Sequence, residues 1–257
     1  MQKLLRDLKK FYSTNKRDLP WRKTHDPYHI LVSEIMLQQT QVLRVIPKYK
    51  AFIKRFPTAK KLAEAKLSEI LSLWSGLGYN RRARYLHQAA KIITNVGFSA
   101  QKLPGVGAYT SAAIGAFAHN QPSVFIETNI RSVFTHFCFP HKKVVSDKEI
   151  LPLVGKALQK SKMQPRDFYA ALMDYGSYLK SKGVKVNKKS KHYTKQKKFE
   201  GSVRQLRGRV IRELLKKPKT LSQLAKGLSQ SKGETLRALA QLQKEQLIRF
   251  QNRKYLL

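Results

Sequence analysis

Apolar residues recur at helical spacing along the first two thirds of the chain, and glycine or proline interrupts each run. Residues 1–16 show the pattern first, with Leu4, Leu8 and Phe11 on one side and Pro20 beyond the end. The same periodicity predicts helices over 28–38, 42–55, 60–65, 67–74, 81–95, 110–119, 125–137, 148–159 and 167–179. Because no alternating strand pattern persists here, we expect residues 1–179 to form an all-α domain.

Residues 203–257 have a different pattern. Helical spacing covers 203–215, Thr220 can cap a second helix that ends at residue 228, and a third helix follows over 233–246. Residues 247–257 alternate as two short strands around the turn Gln251-Asn252-Arg253. Three helices and a hairpin are typical of a winged-helix domain, whose third helix can enter a major groove. That helix carries both signs of charge, at Lys232, Glu234, Arg237, Lys244 and Glu245, so a phosphate-contacting and a protein-contacting role both remain open.

Positive charge dominates the composition. The 257 residues include 52 Lys and Arg against 15 Asp and Glu, a formal net charge of +37. This excess is more than solubility requires and indicates a polyanionic partner, with nucleic acid as the first choice. Between residues 180 and 198, nine of nineteen residues are lysine and none is acidic. We interpret 180–202 as a solvated connecting segment that cannot bury itself and whose lysines, including Lys188, Lys189 and Lys191, contact DNA phosphates; a flexible linker without contacts is the alternative.

Membrane and disulfide-rich classes of protein do not fit this sequence. It has no long apolar span and no signal-peptide pattern. The single cysteine, Cys138, excludes a disulfide within the chain and any zinc or iron–sulfur site held by cysteines alone. We therefore expect no metal, no membrane contact and an intracellular location, in the cytoplasm or nucleoid if the source is prokaryotic. Cys138 is interpreted as a small buried hydrophobic residue.

Two glycines around one apolar residue stand just before the helix expected from Thr110, in the sequence Leu103-Pro104-Gly105-Val106-Gly107. Glycine at these positions allows backbone N–H groups to approach a phosphate at the positive end of the following helix. The pentapeptide therefore predicts a hairpin that binds the DNA backbone, and a generic glycine-rich turn is the alternative.

Several longer segments give this hairpin a context. They are Trp21-Arg22, Asp26-Pro27-Tyr28, Ser33-Glu34-Ile35-Met36-Leu37-Gln38-Gln39-Thr40-Gln41-Val42, Phe56-Pro57, Leu62-Ala63 and Trp74-Ser75-Gly76-Leu77-Gly78-Tyr79. Over residues 17–179 the chain resembles the helix-hairpin-helix DNA glycosylases, and within them the MutY-type adenine glycosylases. The resemblance implies a two-lobed all-α fold and a monomeric enzyme of base excision repair. Such an enzyme binds double-stranded DNA that contains a mismatch or damaged base, flips the mispaired base out and hydrolyses its bond to the sugar.

The resemblance also implies catalytic roles. Glu34 matches the general acid that protonates the departing purine. The alternative is that Glu34 only forms a structural ion pair with an arginine. Glu127 stands where the family has an aspartate beside the oxocarbenium-like sugar, and its extra methylene displaces the charge by about an ångström, which can cost on the order of a hundredfold in rate. Asn129 matches a residue that holds this carboxylate. The alternative for Glu127 is a carboxylate that only begins a helix, since anions are favoured at that end. Tyr109 replaces the lysine of bifunctional members, and a phenol cannot form an imine, so we expect no lyase activity.

Two further sets match positions that contact DNA in the family. The base-pocket positions correspond to Trp21, Arg22, Leu37 and Asp174. The intercalating and opposite-base positions correspond to Gln38, Gln39, Thr40 and Tyr79. Side chains of the second set fill the gap that an extruded base leaves in the stack.

The sequence also departs from the family. Many relatives carry four cysteines for an iron–sulfur cluster just after the segment that here reads Met173-Asp174-Tyr175-Gly176-Ser177, and this chain has none there; we expect no cofactor. Residues 203–257 are too short for the Nudix-like domain with which adenine glycosylases recognise 8-oxoguanine. We expect excision of adenine opposite 8-oxoguanine or guanine. The alternatives are a thymine or uracil glycosylase at mismatches with guanine, and a mismatch or abasic-site binding protein inactivated by Glu127.

Overall fold

The computed structural model of the protein describes residues 1–194 and 198–257. These residues form thirteen α-helices and one two-stranded antiparallel sheet. The elements are α1 Gln2–Asn15, α2 Pro27–Leu37, α3 Val42–Arg55, α4 Ala59–Ala63, α5 Leu67–Trp74, α6 Arg81–Val96, α7 Ala108–His119, α8 Thr128–Cys138, α9 Asp147–Ser161, α10 Pro165–Ser181, α11 Val203–Lys216, α12 Leu221–Leu228, α13 Lys232–Lys244, β1 Arg249–Gln251 and β2 Lys254–Leu256. The expected all-α class is confirmed. Over these residues no helix is long and apolar enough to cross a membrane.

The chain divides into two compact units, and neither is continuous in sequence. The first comprises Met1–Glu34 and Val106–Lys195; the second comprises Ile35–Gly105 and Gln196–Leu257. Helix α2 crosses the division, because Glu34 closes one segment and Ile35 opens the next. The expected domain boundaries, 1–179, 180–202 and 203–257, stay a prediction.

The core of the first unit combines α1 with α7 to α10. Leu4 and Leu8 of α1 are buried beside apolar residues of the later helices. Phe11 of α1 packs its ring on Tyr175 and Tyr178 of α10, with ring centres 5.0 and 4.9 Å apart. The apolar side of the N-terminal helix is therefore covered by residues from the far end of the unit, as its periodicity predicts.

Helices α8 and α10 approach each other closely at Gly176. A Cβ atom added to Gly176 would lie 2.5 Å from both the Cβ and the carbonyl oxygen of Asn129. Real Cβ atoms do not come this close to backbone atoms, so only glycine fits between the two helices here. Gly176 thereby sets the position of the first turn of α8.

Gly176→Ala is expected to lower the free energy of unfolding by about 1–3 kcal/mol, because the added methyl group forces the helices apart. Gly155→Ala in α9 is the matched control, since its added Cβ would meet Val124 at an ordinary 3.4 Å. There alanine's higher helix propensity is expected to leave stability equal or slightly higher. Urea unfolding of the two variants tests this, and equal stability of both would contradict the close packing.

The second unit holds α3 to α6 together with the C-terminal helices and hairpin. Phe52 of α3 packs on Trp74 of α5 with ring centres 6.1 Å apart, and both side chains are fully buried. In the hairpin, Arg249 pairs with Leu256 and Gln251 with Lys254. A third extended segment joins the hairpin where the backbone of Lys219 exchanges two hydrogen bonds with Tyr255. The expected order of three helices and a hairpin is confirmed, with Thr220 capping α12.

Two expectations for the first unit need correction. Residues 125–127 are not helical and α8 begins at Thr128, because Glu127, in an extended conformation, caps the helix and cannot also continue it. The lysine-rich run is also partly ordered rather than unable to bury itself. Val186–Lys189 form a 3-10 turn, Ser190 is buried, and the backbone around it exchanges hydrogen bonds with Val145. Lysines 195 and 197 of the run lie outside the described residues.

Candidate active site

Glu34 lies near the end of α2 and is buried, with 6% of its surface exposed. The phenol of Tyr109, on α7, donates a hydrogen bond to Glu34 Oε2 at 3.1 Å. Burial raises the pKa of Glu34 to about 7; the Tyr109 hydrogen bond opposes this rise and the negative charge of Glu127 adds to it. A carboxyl with this pKa is protonated in a substantial fraction of molecules at neutral pH, and it can act as a proton donor.

Tyr109 is held in a row of aromatic rings. Its ring meets Phe125 edge-on with centres 5.6 Å apart, and Phe125 stacks on Tyr169 at 3.8 Å. Burial, together with the charges of nearby Glu34 and Glu127, raises the pKa of the Tyr109 phenol well above 10. The phenol therefore stays protonated and acts as a neutral hydrogen-bond donor to Glu34.

Glu127 caps the N-terminus of α8. Its Oε1 accepts the backbone N–H groups of Asn129 at 2.8 Å and Ile130 at 2.9 Å, and its Oε2 accepts the Asn129 side-chain amide at 3.2 Å. Partial burial raises the pKa of Glu127, while these three hydrogen bonds oppose the rise. The carboxylate is thus fixed at the positive end of a helix and near enough to Glu34 to affect its pKa. The expected contact between Asn129 and this carboxylate is present.

Asp174, one of the expected base-pocket residues, is enclosed by two arginines. The guanidinium of Arg22 donates to both of its carboxylate oxygens, at 2.7 and 2.8 Å. Arg17, which the sequence did not single out, adds its backbone N–H at 3.1 Å and its side chain. Trp21 is buried in the same unit, whereas Leu37 is half-buried in the second unit. Asp174 therefore has a structural ion pair that accounts for its burial.

The intercalating set lies in the second unit, around an arginine that sequence reasoning missed. Arg82 is 8% exposed and donates to the carbonyl oxygens of five residues and to the hydroxyl of Thr40. The five are Ile35, Met36, Gln38, Leu77 and Gly78. Burial lowers the pKa of Arg82 to about 10. One guanidinium thus joins the C-terminal end of α2 and the turn after it to the loop before α6.

Two residues at the tips of these segments have strained backbone conformations. Gln39 and Tyr79 have φ of 55° and 48°, in the left-handed region that side chains rarely adopt. Gln38 donates its side-chain amide to the carbonyl of Gly105 at 3.3 Å. The phenol of Tyr79 accepts a hydrogen bond from Arg204 at 2.5 Å. Such strain is typical of functional sites, where surrounding contacts hold it in place.

The predicted hairpin precedes α7, which begins at Ala108, two residues earlier than expected. Gly105 has φ of 78°, and a Cβ there would come within 3.0 Å of Tyr85. Gly107 is the N-cap without a side-chain hydrogen bond, and a Cβ on it would meet no described atom within 4 Å. Leu103 is buried; Pro104 and Val106 are half-buried. The first N–H groups of α7 are therefore open to an anion.

Residues 32–159 match the HhH-GPD superfamily of base excision DNA repair proteins. This part of the chain belongs to the HhH-GPD superfamily. The chain is also similar to adenine DNA glycosylases. The one from Mycolicibacterium smegmatis is 38% identical over 180 residues, which are 66% of this chain and 61% of the relative. The human one is 36% identical over 189 residues, 65% of this chain and 34% of the relative. The chain spans about three fifths and one third of these two relatives.

Solved structures confirm the expected helix-hairpin-helix glycosylase fold. A thermostable thymine-DNA glycosylase matches with a TM-score of 0.60 and 26% identity, over 75% of this chain and 95% of that one. Endonuclease III in a non-covalent complex with DNA matches with a TM-score of 0.54 over 69% of this chain and 83% of that one. At 18% identity, this second likeness concerns the fold alone.

The residues of this chain do not fit the iron–sulfur cluster of many HhH-GPD proteins. Four thiolates are required, and the chain has one cysteine, Cys138, which lies partly buried at the end of α8. Over residues 1–194 and 198–257, no group of three or more His, Cys, Asp and Glu side chains is arranged to hold a metal ion. The absence of a cofactor stays a prediction.

Glu34→Gln is expected to stabilise the protein at pH 8 and have little effect at pH 4.5. The folded-state pKa of Glu34, about 7, lies above its ordinary value of 4.5. Its contribution to stability is therefore complete below pH 4.5 and is lost as the pH rises through 7, by about 3 kcal/mol. Glutamine does not titrate, so the variant does not lose this stability as the pH rises. Urea unfolding of the variant and the wild type at the two pH values measures the difference in their free energies of unfolding. Exposed Glu64→Gln is the control, and equal pH dependence of all three proteins would contradict the raised pKa.

Proposed function

We propose that the protein is a DNA glycosylase that hydrolyses the bond between a mispaired base and its sugar in double-stranded DNA. The observation that carries this proposal is the buried Glu34 carboxyl, hydrogen-bonded to Tyr109 and with a pKa raised to about 7. A structural carboxylate gains nothing from such an environment, whereas a general acid needs it. The protein would act as a monomer on duplex DNA that contains a mismatch or a damaged base.

In this mechanism the target base leaves the stack and Glu34 donates its proton to a nitrogen of the base. The bond between the base and C1′ breaks, its electron pair goes to the base, and positive charge develops on the sugar. The carboxylate of Glu127 stabilises that charge and accepts the proton of the water molecule that attacks C1′. The products are a free base and an abasic site. Because a phenol forms no imine, Tyr109 supports hydrolysis without strand cleavage.

The substrate is proposed from the relatives. Those quoted above are adenine DNA glycosylases, which favours adenine opposite 8-oxoguanine or guanine. The thymine-DNA glycosylase structure, covered over 95% of its length, favours a thymine or uracil opposite guanine as the second candidate.

A DNA-binding protein without turnover is a further candidate, and the geometry of Glu127 favours it specifically. Three hydrogen bonds from the first turn of α8 occupy both oxygens of this carboxylate. If they hold the charge too far from the sugar, the protein would bind mismatches or abasic sites and release no base.

Four end-labelled duplexes separate these candidates: adenine opposite 8-oxoguanine, adenine opposite guanine, thymine opposite guanine and uracil opposite guanine. Each is incubated with the protein and then treated with alkali, which breaks the strand at abasic sites. Strand breaks that need alkali identify a monofunctional glycosylase and its substrate. Breaks without alkali would contradict the role given to Tyr109. Four intact duplexes despite tight binding would contradict the enzyme and support the binding protein.

We propose that Lys188, Lys189 and Lys191 contact DNA phosphates. Lys188 and Lys191 are exposed, and the Lys189 ammonium donates to the carbonyl of Pro140 at 2.7 Å. Replacing all three by glutamine is expected to reduce the slope of log affinity against log salt by about 2–3. The control removes the same charge from α1 at Lys3, Lys9 and Lys10, which are exposed. Equal slopes for the two variants would show that only net charge matters.

A further inference from the structure

Residues 203–257 form a C-terminal module that the proposed chemistry does not use. Its helices α12 and α13 pack on each other and are joined by only three residues, in which Ser229 ends α12 in the left-handed region. A turn of this length is typical of helix-turn-helix modules, whose second helix can enter the major groove of DNA. The mixed charges of α13 left a DNA-contacting and a protein-contacting role open, and the contacts of those charges favour the first.

Every acidic side chain of this module is already engaged within it. Glu245 forms an ion pair with Arg207 of α11, and both side chains are less than a fifth exposed. Glu234 accepts the hydroxyl of Ser231 at 2.9 Å and completes the capping box at the start of α13. Glu213, the third and last, is paired with two lysines. These negative charges are compensated inside the module, so they repel a polyanion only weakly.

The outward face of α13 is continuous and positively charged. Positions 235, 238, 239 and 242 are buried, and exposed residues recur at a spacing of three or four along the other side of the helix. The exposed set includes Lys232, Gly233, Leu236, Arg237, Ala240, Gln241 and Lys244. Residues as small as Gly233 and Ala240 allow the helix to approach a groove closely, while its guanidinium and amide groups can reach base edges.

The hairpin after α13 adds three more cations. Arg249, Arg253 and Lys254 are exposed, and neither strand nor the turn contains an acidic residue. Asn252 and Arg253 have φ of 49° and 57°, as in a tight two-residue turn, so Arg253 lies at the tip of the hairpin. These cations and the three of α13 form no ion pair with any residue that the structure describes. Their charge complements that of a row of phosphates.

Other parts of the module hold it to the rest of the second unit. Arg84 of α6 donates to the carbonyl of Glu245 at 3.1 Å and to the side chain of Gln246. Helix α11 packs on α5. Because these contacts use α11 and the residues after α13, the outward face of α13 stays exposed while the module itself is fixed in place.

We propose that α13 and the hairpin form a surface that binds duplex DNA without requiring a mismatch or a damaged base. Helix α13 lies in the major groove, and Arg253 contacts a phosphate beside it. Only Leu236 and Phe250 are large exposed apolar residues on this surface, whereas a protein interface usually has an apolar core. The binding does not depend on base release, because an undamaged duplex is sufficient.

Ala240→Trp tests this surface without changing any charge. Ala240 is exposed on the outward face of α13, so an indole there is expected to keep the helix out of a groove. Ala51→Trp is the matched control, because Ala51 is an exposed alanine of α3 in the same unit. Fluorescence anisotropy with a labelled, fully paired duplex measures the affinity. Ala240→Trp is expected to weaken binding about tenfold, through loss of the groove contacts, and Ala51→Trp to leave it unchanged.

A double variant tests the charge of the same surface. Arg237→Gln combined with Arg253→Gln removes one cation from α13 and one from the hairpin. The slope of log affinity against log salt is expected to fall by about 2, since each phosphate contact contributes about 0.9. The control combines Lys60→Gln with Lys61→Gln, two exposed positions of α4, and is expected to keep the slope of the wild type.

Unchanged affinity in Ala240→Trp, or equal slopes for the two double variants, would overturn the proposal. Preferred binding of a single strand of equal length, weakened by the same substitutions, would also overturn it, because a groove requires a duplex. Binding of polyglutamate that Ala240→Trp abolishes, with duplex affinity unchanged, would assign the surface to an acidic protein instead. The alkali assay judges the glycosylase separately. A wild type that binds the undamaged duplex through this surface but releases no base supports the surface and contradicts the glycosylase alone.

Discussion

Glu34→Gln is expected to lower the single-turnover rate of base excision by about a thousandfold, with DNA affinity unchanged. Glutamine keeps the size of the side chain and its hydrogen-bonding partner Tyr109, but it has no proton to give to the departing base. The loss should therefore fall on the chemical step. Alkali-revealed strand breaks measure the rate, and anisotropy with an uncleaved duplex measures the affinity. Glu64→Gln, at an exposed position of the second unit, should match wild type in both.

The pH dependence of the wild-type rate belongs to the same expectation. Because the pKa of Glu34 is raised to about 7, the protonated fraction falls above that pH and the rate falls with it. The apparent pKa belongs to the pair that Glu34 forms with Glu127. A rate that rises between pH 7 and 9, or a variant that retains a tenth of the wild-type rate, would exclude Glu34 as the general acid.

Arg82→Met is expected to lower the free energy of unfolding by about 3–5 kcal/mol. Arginine here has a cost, because burial lowers its pKa to about 10 and its Nε is buried without a hydrogen-bond partner among the described residues. Six hydrogen bonds outweigh that cost. Methionine of similar length would leave the carbonyl oxygens at the end of α2 and in the loop before α6 without their donor. Urea unfolding gives the free energy of each variant.

Two controls sharpen the test of Arg82. Arg81→Met changes the neighbouring exposed arginine, and it should cost little because exposed charges contribute little to stability. Arg82→Lys keeps the charge but loses the planar fork that reaches several carbonyls at once, so it should be closer to methionine than to wild type. If Arg82→Met lowers the free energy of unfolding by less than about 1 kcal/mol, other contacts hold the end of α2 to the loop before α6.

Local patterns in the sequence predict the helices well, and the reason is visible in particular elements. Helices α3 and α5 have the predicted ends because periodic apolar residues and the flanking Pro57 and Gly76 are all local signals. Thr220 caps α12 as predicted, since a capping residue acts within one turn. Such features need no information from distant parts of the chain.

Arg82 and Glu127 show where local reasoning ends. Arg82 follows Arg81 in a basic stretch and has the appearance of a solvent-exposed residue. Its burial depends on carbonyl groups at the end of α2 and in the loop before α6. The first set, at residues 35–38, lies 44 to 47 residues earlier in the chain. For Glu127, the acidic residue before a helical run was a usable signal for an N-cap, but the apolar residues at 125 and 126 extended the helical pattern beyond it.

The packing of α1 on α10 has a consequence for the order of events on the ribosome. The Tyr12 hydroxyl binds Asp167, 155 residues later in the chain, so α1 emerges about 8–30 s before its partner at ordinary rates of synthesis. During that interval Leu4 and Leu8 have no core to enter. Closing so long a loop costs little extra entropy and lowers stability only slightly, but it delays folding. The nascent chain therefore carries an exposed amphipathic helix until the first unit is nearly complete, and chaperones that bind apolar segments are expected to meet it there.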